Sequence, residues 1–233
     1  MKQARKLILG CMLAVFGTSA HAILVDFQDL ADNVMGEQGL STLSIFGMDI
    51  TGWDGSTAAY AYLDDSNAGL GVCKNINDPG DLHCKPGSDD NVDTVGEFIR
   101  ITFTRNLVVE DLFLNSNHDS PRHLDGGSID FSTDIGGSVS SSTNVFSFAD
   151  ECANNGTTAI TDADCGNGST GDRDFLYTLD TEFEVGDTLE IAYNDVQFYL
   201  GKITYNTPEP LSLALMGFGL IGVSALRRRR LSA

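Results

Sequence analysis

From residue 23 to residue 206 no segment sustains the 3.6-residue apolar period of an amphipathic helix, and this constrains the fold more than any motif does. Short runs of alternating, β-branched and aromatic residues take its place. The runs opening at Ile23, Met48, Thr57, Glu97, Leu107, Ser128, Val145, Phe175, Thr188 and Gln197 each read as a strand. Ile99, Ile101 and Phe103 alternate with Arg100, Thr102 and Thr104, and Leu189, Ile191 and Tyr193 alternate with Glu190, Ala192 and Asn194. Such period-two patterns put one set of side chains on each face of a sheet. Gly, Asn, Asp and Ser clusters supply the turns between runs. The expectation is one all-β domain over residues 23–206, a β-sandwich of jelly-roll type. The longest interruptions, residues 64–96 and 150–174, and the polar patch at residues 138–143 read as loops.

Both ends of the chain differ from this body. Lys2, Arg5 and Lys6 precede an apolar stretch over residues 7–16, and Ala20-His21-Ala22 fits the small-x-small cleavage rule. A signal peptide is expected over residues 1–22, cut after Ala22 and read by the Sec export machinery. A lipoprotein reading through Cys11 fails, because too few apolar residues precede it and Met12 to Phe16 would follow it. At the other end Pro208, Glu209 and Pro210 lead into an uncharged run that opens on Leu211 and closes on Leu226. Arg227, Arg228, Arg229 and Arg230 follow at once. As a helix the run covers about 24 Å, against a hydrocarbon core of about 30 Å. Snorkelling arginines or a locally thinned bilayer close that gap. The positive-inside rule keeps the arginines in the cytoplasm and the body outside. A buried C-terminal helix would have no use for four arginines abutting its apolar run.

The order of these parts resembles the PEP-CTERM sorting signal of Gram-negative bacteria, the tag of exosortase substrates. The resemblance implies that Pro208, Glu209 and Pro210 are the recognition element near which an exosortase-type membrane peptidase cuts. It implies that residues 211–226 form a single transmembrane helix holding the substrate transiently in the inner membrane, so that residues 207–233 are the whole sorting signal. The body is similar to other exported domains with this tag at Gly69-Leu70-Gly71-Val72-Cys73, at residues 83–97 and at residues 98–103. The family is associated with exopolysaccharide, biofilm and floc formation. A non-enzymatic protein of the cell surface or extracellular matrix is therefore expected, a structural or adhesive module among polysaccharide.

Charge narrows the partners further. Seven of the 14 basic residues and 32 of the 33 acidic ones fall within residues 23–206, leaving that segment at −25. A surface so acidic repels nucleic acid and anionic polymers and keeps the domain soluble. Four cysteines remain after signal removal, and local spacing favours Cys73–Cys84 and Cys152–Cys165 among the three pairings open to them. An oxidising compartment permits both bridges, and each would staple one of the two long interruptions. A four-cysteine zinc site would call for C-x-x-C pairs, which are missing.

Candidate chemistry is sparse. Asp89, Asp90, Asp93 and Glu97 lie within nine residues ahead of a strong strand, and Asp64 and Asp65 sit in the same long interruption. Calcium takes six to eight oxygen ligands, which such a loop can supply in part. Solvated acidic turns are the competing reading in so acidic a chain. The run from Asp162 imitates an EF-hand but puts Asn167 where glycine is required and Arg173 where glutamate is required. His118 and His123 share a loop without any zinc spacing, and neither a G-x-S-x-G elbow nor a phosphate-cradling glycine loop occurs. No pair of carboxylates is singled out for glycosidase work, so a secreted hydrolase is the least supported class. Asn155 and Asn167 head N-x-[ST] sequons that serve equally as turn signals. Trp53 is expected in the core, and Tyr60 and Tyr62 on one sheet face. The second functional reading is a calcium-dependent, lectin-like module built on Asp89, Asp90, Asp93 and Glu97. No other cofactor is expected.

Overall fold

The computed structural model describes residues 22–208 except 67, 79, 116–125 and 147–174. The expected signal peptide before Ala22, the Cys152–Cys165 pair, His118, His123, both sequons and everything from Glu209 onward lie outside the described residues. Ala22 is exposed and directly precedes the first strand, while Pro208 follows the last by two residues.

The chain opens with β1 (Ile23–Asp26), a helical turn (Phe27–Asp29) capped by the Asp26 carboxylate, and a π-helical stretch (Leu30–Met35). Next come β2 (Gln38–Leu40), β3 (Leu43–Ile45), β4 (Met48–Asp54), β5 (Thr57–Asp64), β6 (Gly69–Cys73), β7 (Ile76–Asp78) and β8 (Asp81–Cys84). The second half holds β9 (Glu97–Phe103), β10 (Leu107–Asn115), β11 (Ser128–Ile135), β12 (Ser138–Val145), β13 (Phe175–Phe183), β14 (Thr188–Tyr193) and β15 (Tyr199–Asn206). The all-β expectation holds.

Hydrogen bonding does not divide these strands into the two sheets of a sandwich. It links thirteen of them into one sheet along the path β12-β11-β14-β9-β4-β5-β6-β15-β10-β13, with β1, β2 and β3 attached beside it. The strand β5 makes the connection. Its first residues pair with β4, while Tyr60 to Asp64 pair with β6. Gly52 permits this corner, because a Cβ there would lie 2.4 Å from the Tyr60 carbonyl oxygen. The sheet then curls until its ends face one another. Phe103 of β9 stacks on Phe183 of β13 at 4.1 Å, and Phe131 of β11 on Tyr177 of β13 at 4.0 Å. Between the facing walls lies one apolar core that draws on both halves, including Ile50, Ile99, Ile101, Leu112, Ile191 and Ile203.

Three sequence expectations need correction. Residues 138–143 are not a loop but most of β12, which pairs with β11 in unbroken register. Its serines are exposed along nearly the whole strand, so no apolar alternation marks it. The interruption at residues 64–96 contains β6, β7 and β8. Trp53 is not in the core: it stands partly exposed on the outer face of β4, because Met48, Ile50 and Gly52 take the inward positions. Tyr60 and Tyr62 do share a face, packed against the half-cystines Cys73 and Cys84.

Candidate functional site

The expected bridge Cys73–Cys84 is formed, with Cα atoms 5.8 Å apart. It ties β6 to β8 just ahead of the acidic loop. That loop is docked by a β-bridge between Val92 and Phe198, whose N–H groups each donate to the other's carbonyl at 3.0 and 3.1 Å. Its backbone also presses on β6 so closely that a Cβ on Gly71 would lie 2.0 Å from the Asp90 carbonyl oxygen.

Docking separates the four predicted carboxylates. Asp89, Asp93 and Glu97 come together, each offering an oxygen within 4.8 Å of the others. Asp90 turns away. Its Oδ1 lies 2.9 Å from the Tyr199 hydroxyl, which is also 2.7 Å from Oδ2 of the buried Asp64. Burial and the two carboxylates push the Tyr199 phenol far above its ordinary value. Asp64 and Asp65 form a second acidic group with Glu37, which accepts a short hydrogen bond from the Tyr62 hydroxyl. Glu37 also raises the pKa of exposed His83, whose Nδ1 is 3.3 Å away.

Sequence reasoning missed the residue at the centre of the first group. Lys74 Nζ lies 3.1 Å from Asp89 Oδ1 and 2.5 Å from Glu97 Oε1. The Glu97 contact is the closer of the two and joins a buried carboxylate oxygen to a part-solvated ammonium. Glu97 is fully buried at the start of β9, and its other oxygen accepts the Asp93 and Thr94 backbone N–H groups at 2.8 and 3.0 Å. Burial alone would raise the Glu97 carboxyl, but the Lys74 ammonium and those two donors outweigh it and hold it below its usual value. Asp93 is pushed the other way, up to about 6, by burial and then by the Glu97 charge. The Lys74 ammonium is itself raised, chiefly by Glu97. One signal for Lys74 was present: a lone lysine one residue after Cys73, in a segment with very few cations.

The other polar concentration lies on the outer face of β12, β11, β14, β9 and β4. Pairing registers set its side chains in cross-strand rows. One row runs Thr143, Asp130, Ala192, Phe98, Trp53; the next runs Ser141, Ser132, Glu190, Arg100, Thr51. Neighbouring side chains in a row interact directly. Thr143 donates to Asp130 at 2.5 Å, Ser141 meets Ser132 at 3.2 Å, and Arg100 grips Glu190 through Nε at 2.8 Å and Nη2 at 2.7 Å. The Arg100 guanidinium also lies 4.5 Å from the Trp53 ring centre and 5.2 Å from that of Phe98. Two depressions of about 420 Å³ each indent this face, and both are lined by Ser132 and Glu190.

Beyond the last strand, residues 206–230 match the PEP-CTERM protein-sorting motif. The chain therefore carries the tag expected of an exosortase substrate, attached where β15 ends at Asn206. Among curated proteins and solved structures no match is found. No helix among the described residues is long and apolar enough to cross a membrane, and the apolar run at residues 211–226 lies beyond them.

Proposed function

We propose that this chain is a non-enzymatic protein of the cell surface or extracellular matrix, whose acidic β-domain serves as a structural or adhesive module among exported polysaccharide. The observation that carries this reading is the sorting motif at residues 206–230, joined directly to a disulfide-linked β-domain. The apolar run would hold the domain on the outer side of the inner membrane until exosortase cuts near Pro208, Glu209 and Pro210. Signal cleavage after Ala22 would leave β1 at the new N-terminus. Mass spectrometry of both termini, on protein recovered from envelope and extracellular fractions, tests the reading. It predicts a start at Ile23 and, in the extracellular form, loss of Arg227 to Arg230. An intact chain confined to the cytosol would overturn it.

The calcium-dependent lectin-like reading stands second, supported by the convergence of Asp89, Asp93 and Glu97. Lys74 weighs against it, because its ammonium already neutralises the position a cation would take. Calorimetric titration of the full chain and of Lys74→Met with calcium separates the cases. Binding in the parent protein at millimolar calcium favours the lectin-like module. Binding only in the variant identifies Lys74 as a built-in replacement for the ion.

A further inference from the structure

We infer that the end of the domain from which the sorting tag leaves is a lipid-docking surface, whose apolar loop tips enter the bilayer while the tag anchors the chain. The inference rests on the membrane-anchored stage of the proposed function and adds a contact that the motif does not supply. Strand pairing gathers four turns and both termini of the sheet at this end. Met48 of β4 lies opposite Phe103 of β9, Leu107 of β10 opposite Phe183 of β13, and Thr188 of β14 opposite Asp134 of β11. Here too Ile23 pairs with Tyr205, and Asn206 with Val108. Backbone N–H groups knit the turns together: Thr104 donates to the Gly47 carbonyl at 2.9 Å, Gly186 to that of Phe103 at 2.8 Å, and Gly136 to Asp187 Oδ1 at 2.9 Å.

Apolar side chains stand out of this end. Phe46 is 53% exposed, Val185 66% and Val139 71%. Phe46 and Gly47 form the two-residue loop of the β3–β4 hairpin, with φ of 49° and 88°. Loops of that conformation favour Asn, Asp or Gly at the first position, and a bulky side chain there is strained. Fold stability therefore does not account for a phenylalanine at this tip. Arg105 ties the tip to the last strand, its Nη2 donating to the Phe46 carbonyl at 2.7 Å and to the Tyr205 hydroxyl at 3.1 Å.

The chain beyond β15 commits this end to lipid. Only residues 207–210 separate Asn206 from the apolar run that opens at Leu211. Fully extended, they hold Asn206 no more than about 17 Å from Leu211. The nine-residue β10 runs away from this end for about 30 Å, so the opposite end lies far beyond that reach. A tether so short makes the tip contact intramolecular, and a few apolar side chains then suffice where they would not retain a free protein. A protein partner would instead need a continuous complementary surface of about 1,000 Å². So acidic a domain is repelled by an anionic leaflet, which makes zwitterionic lipid the favoured surface.

Quenching by brominated lipid tests the surface, with the full chain reconstituted in phosphatidylcholine vesicles, plain or brominated along the acyl chains. Phe46→Trp and Val185→Trp, each combined with Trp53→Phe, put the only tryptophan at a tip. Each should lose at least half its emission in the brominated vesicles. The parent is the control: Trp53 stands five residues along β4 from Met48, about 17 Å from this end, and should lose little. A urea midpoint in mild detergent unchanged from the parent identifies the variants whose fold is intact. A carbonate wash of the vesicles reports the anchor separately. A chain stripped by the wash sinks the anchored stage and the inference with it. A retained chain whose tip reporter is quenched no more than Trp53 overturns the inference alone. A blue shift without bromine quenching also overturns it, and assigns the tips to a second copy or another protein.

Discussion

Carboxylates gather in two places in this domain, and the two places treat them in opposite ways. Where the acidic loop runs into β9, Glu97 is fully buried and needs the Lys74 ammonium and two backbone donors to remain charged. On the outer face, Asp130 and Glu190 stand partly in water, satisfied by Thr143 and Arg100. A buried charge that loses its partner keeps the cost of leaving water, whereas an exposed one is solvated again. The same residue type thus holds the fold together in one region and merely stays solvated in the other.

The sharpest way to break this contrast is Lys74→Met. It strands the Glu97 carboxylate in the core, and about 3 kcal/mol of stability should be lost, the low end for a buried pair because Lys74 is itself part-solvated. Urea unfolding at neutral pH measures it. The Glu97 pKa is lowered in the folded state, so the contribution is present above about pH 4.5 and fades as pH falls below that. A penalty independent of pH would refute the ionic account.

Removing the adjacent staple comes next. Cys73→Ser with Cys84→Ser should cost roughly 2–3 kcal/mol, the value for a short closed loop, read as a lower denaturant midpoint. A midpoint equal to that of the bridged protein would show that Val92 and Gly71 dock the loop unaided.

A smaller effect of opposite sign is expected at Asp93→Asn. The folded-state pKa of Asp93 is raised to about 6, so its favourable contribution exists below about pH 4 and is lost as pH rises through 6. The variant should therefore be more stable than the parent at pH 7, by about 1 kcal/mol after solvent screening. The two should converge near pH 4. Neighbours four residues apart would then show opposing pH slopes.

The smallest effect belongs to the outer face. Ser141→Ala should change stability by less than about 0.5 kcal/mol, since the serine is exposed and its hydroxyl meets that of Ser132 across the strand pair. A loss above about 1 kcal/mol would mean that the face is structural after all and erase the distinction between the two regions.

Much of the strand content is legible in the chain. The alternations through Phe103 and Ile191 put Ile99, Ile101, Phe103, Leu189 and Ile191 inside as expected. What escapes reading are strands whose neighbours, not their composition, make them strands. β12 shows no apolar period because solvent bathes nearly all of it, and its only described partner is β11. β6 contains Gly69 and Gly71 and falls inside the interruption that reads as a loop. Both positions instead admit backbone pressing in from elsewhere, the Leu200 carbonyl oxygen at 2.8 Å and that of Asp90 at 2.0 Å from a would-be Cβ. Trp53 was misassigned because aromatic bulk signals burial only until the face is known.

The candidate site divides in the same manner. Asp89, Asp93 and Glu97 fall close together because they are close in sequence, while Asp90 is drawn off to Tyr199, 109 residues away. By itself the sequence determined the all-β class, the acidic surface, the cysteine pair that closes at Cys73–Cys84 and the sorting tag at the C-terminus. All of these are composition or short-range order. The tertiary structure alone decided which carboxylates share an ammonium, which way Trp53 faces and which side chains of β12, β11, β14 and β9 meet in rows. Those outcomes depend on strands meeting across the curl of the sheet, and local periodicity assigns a side chain to a face without saying what will lie opposite it.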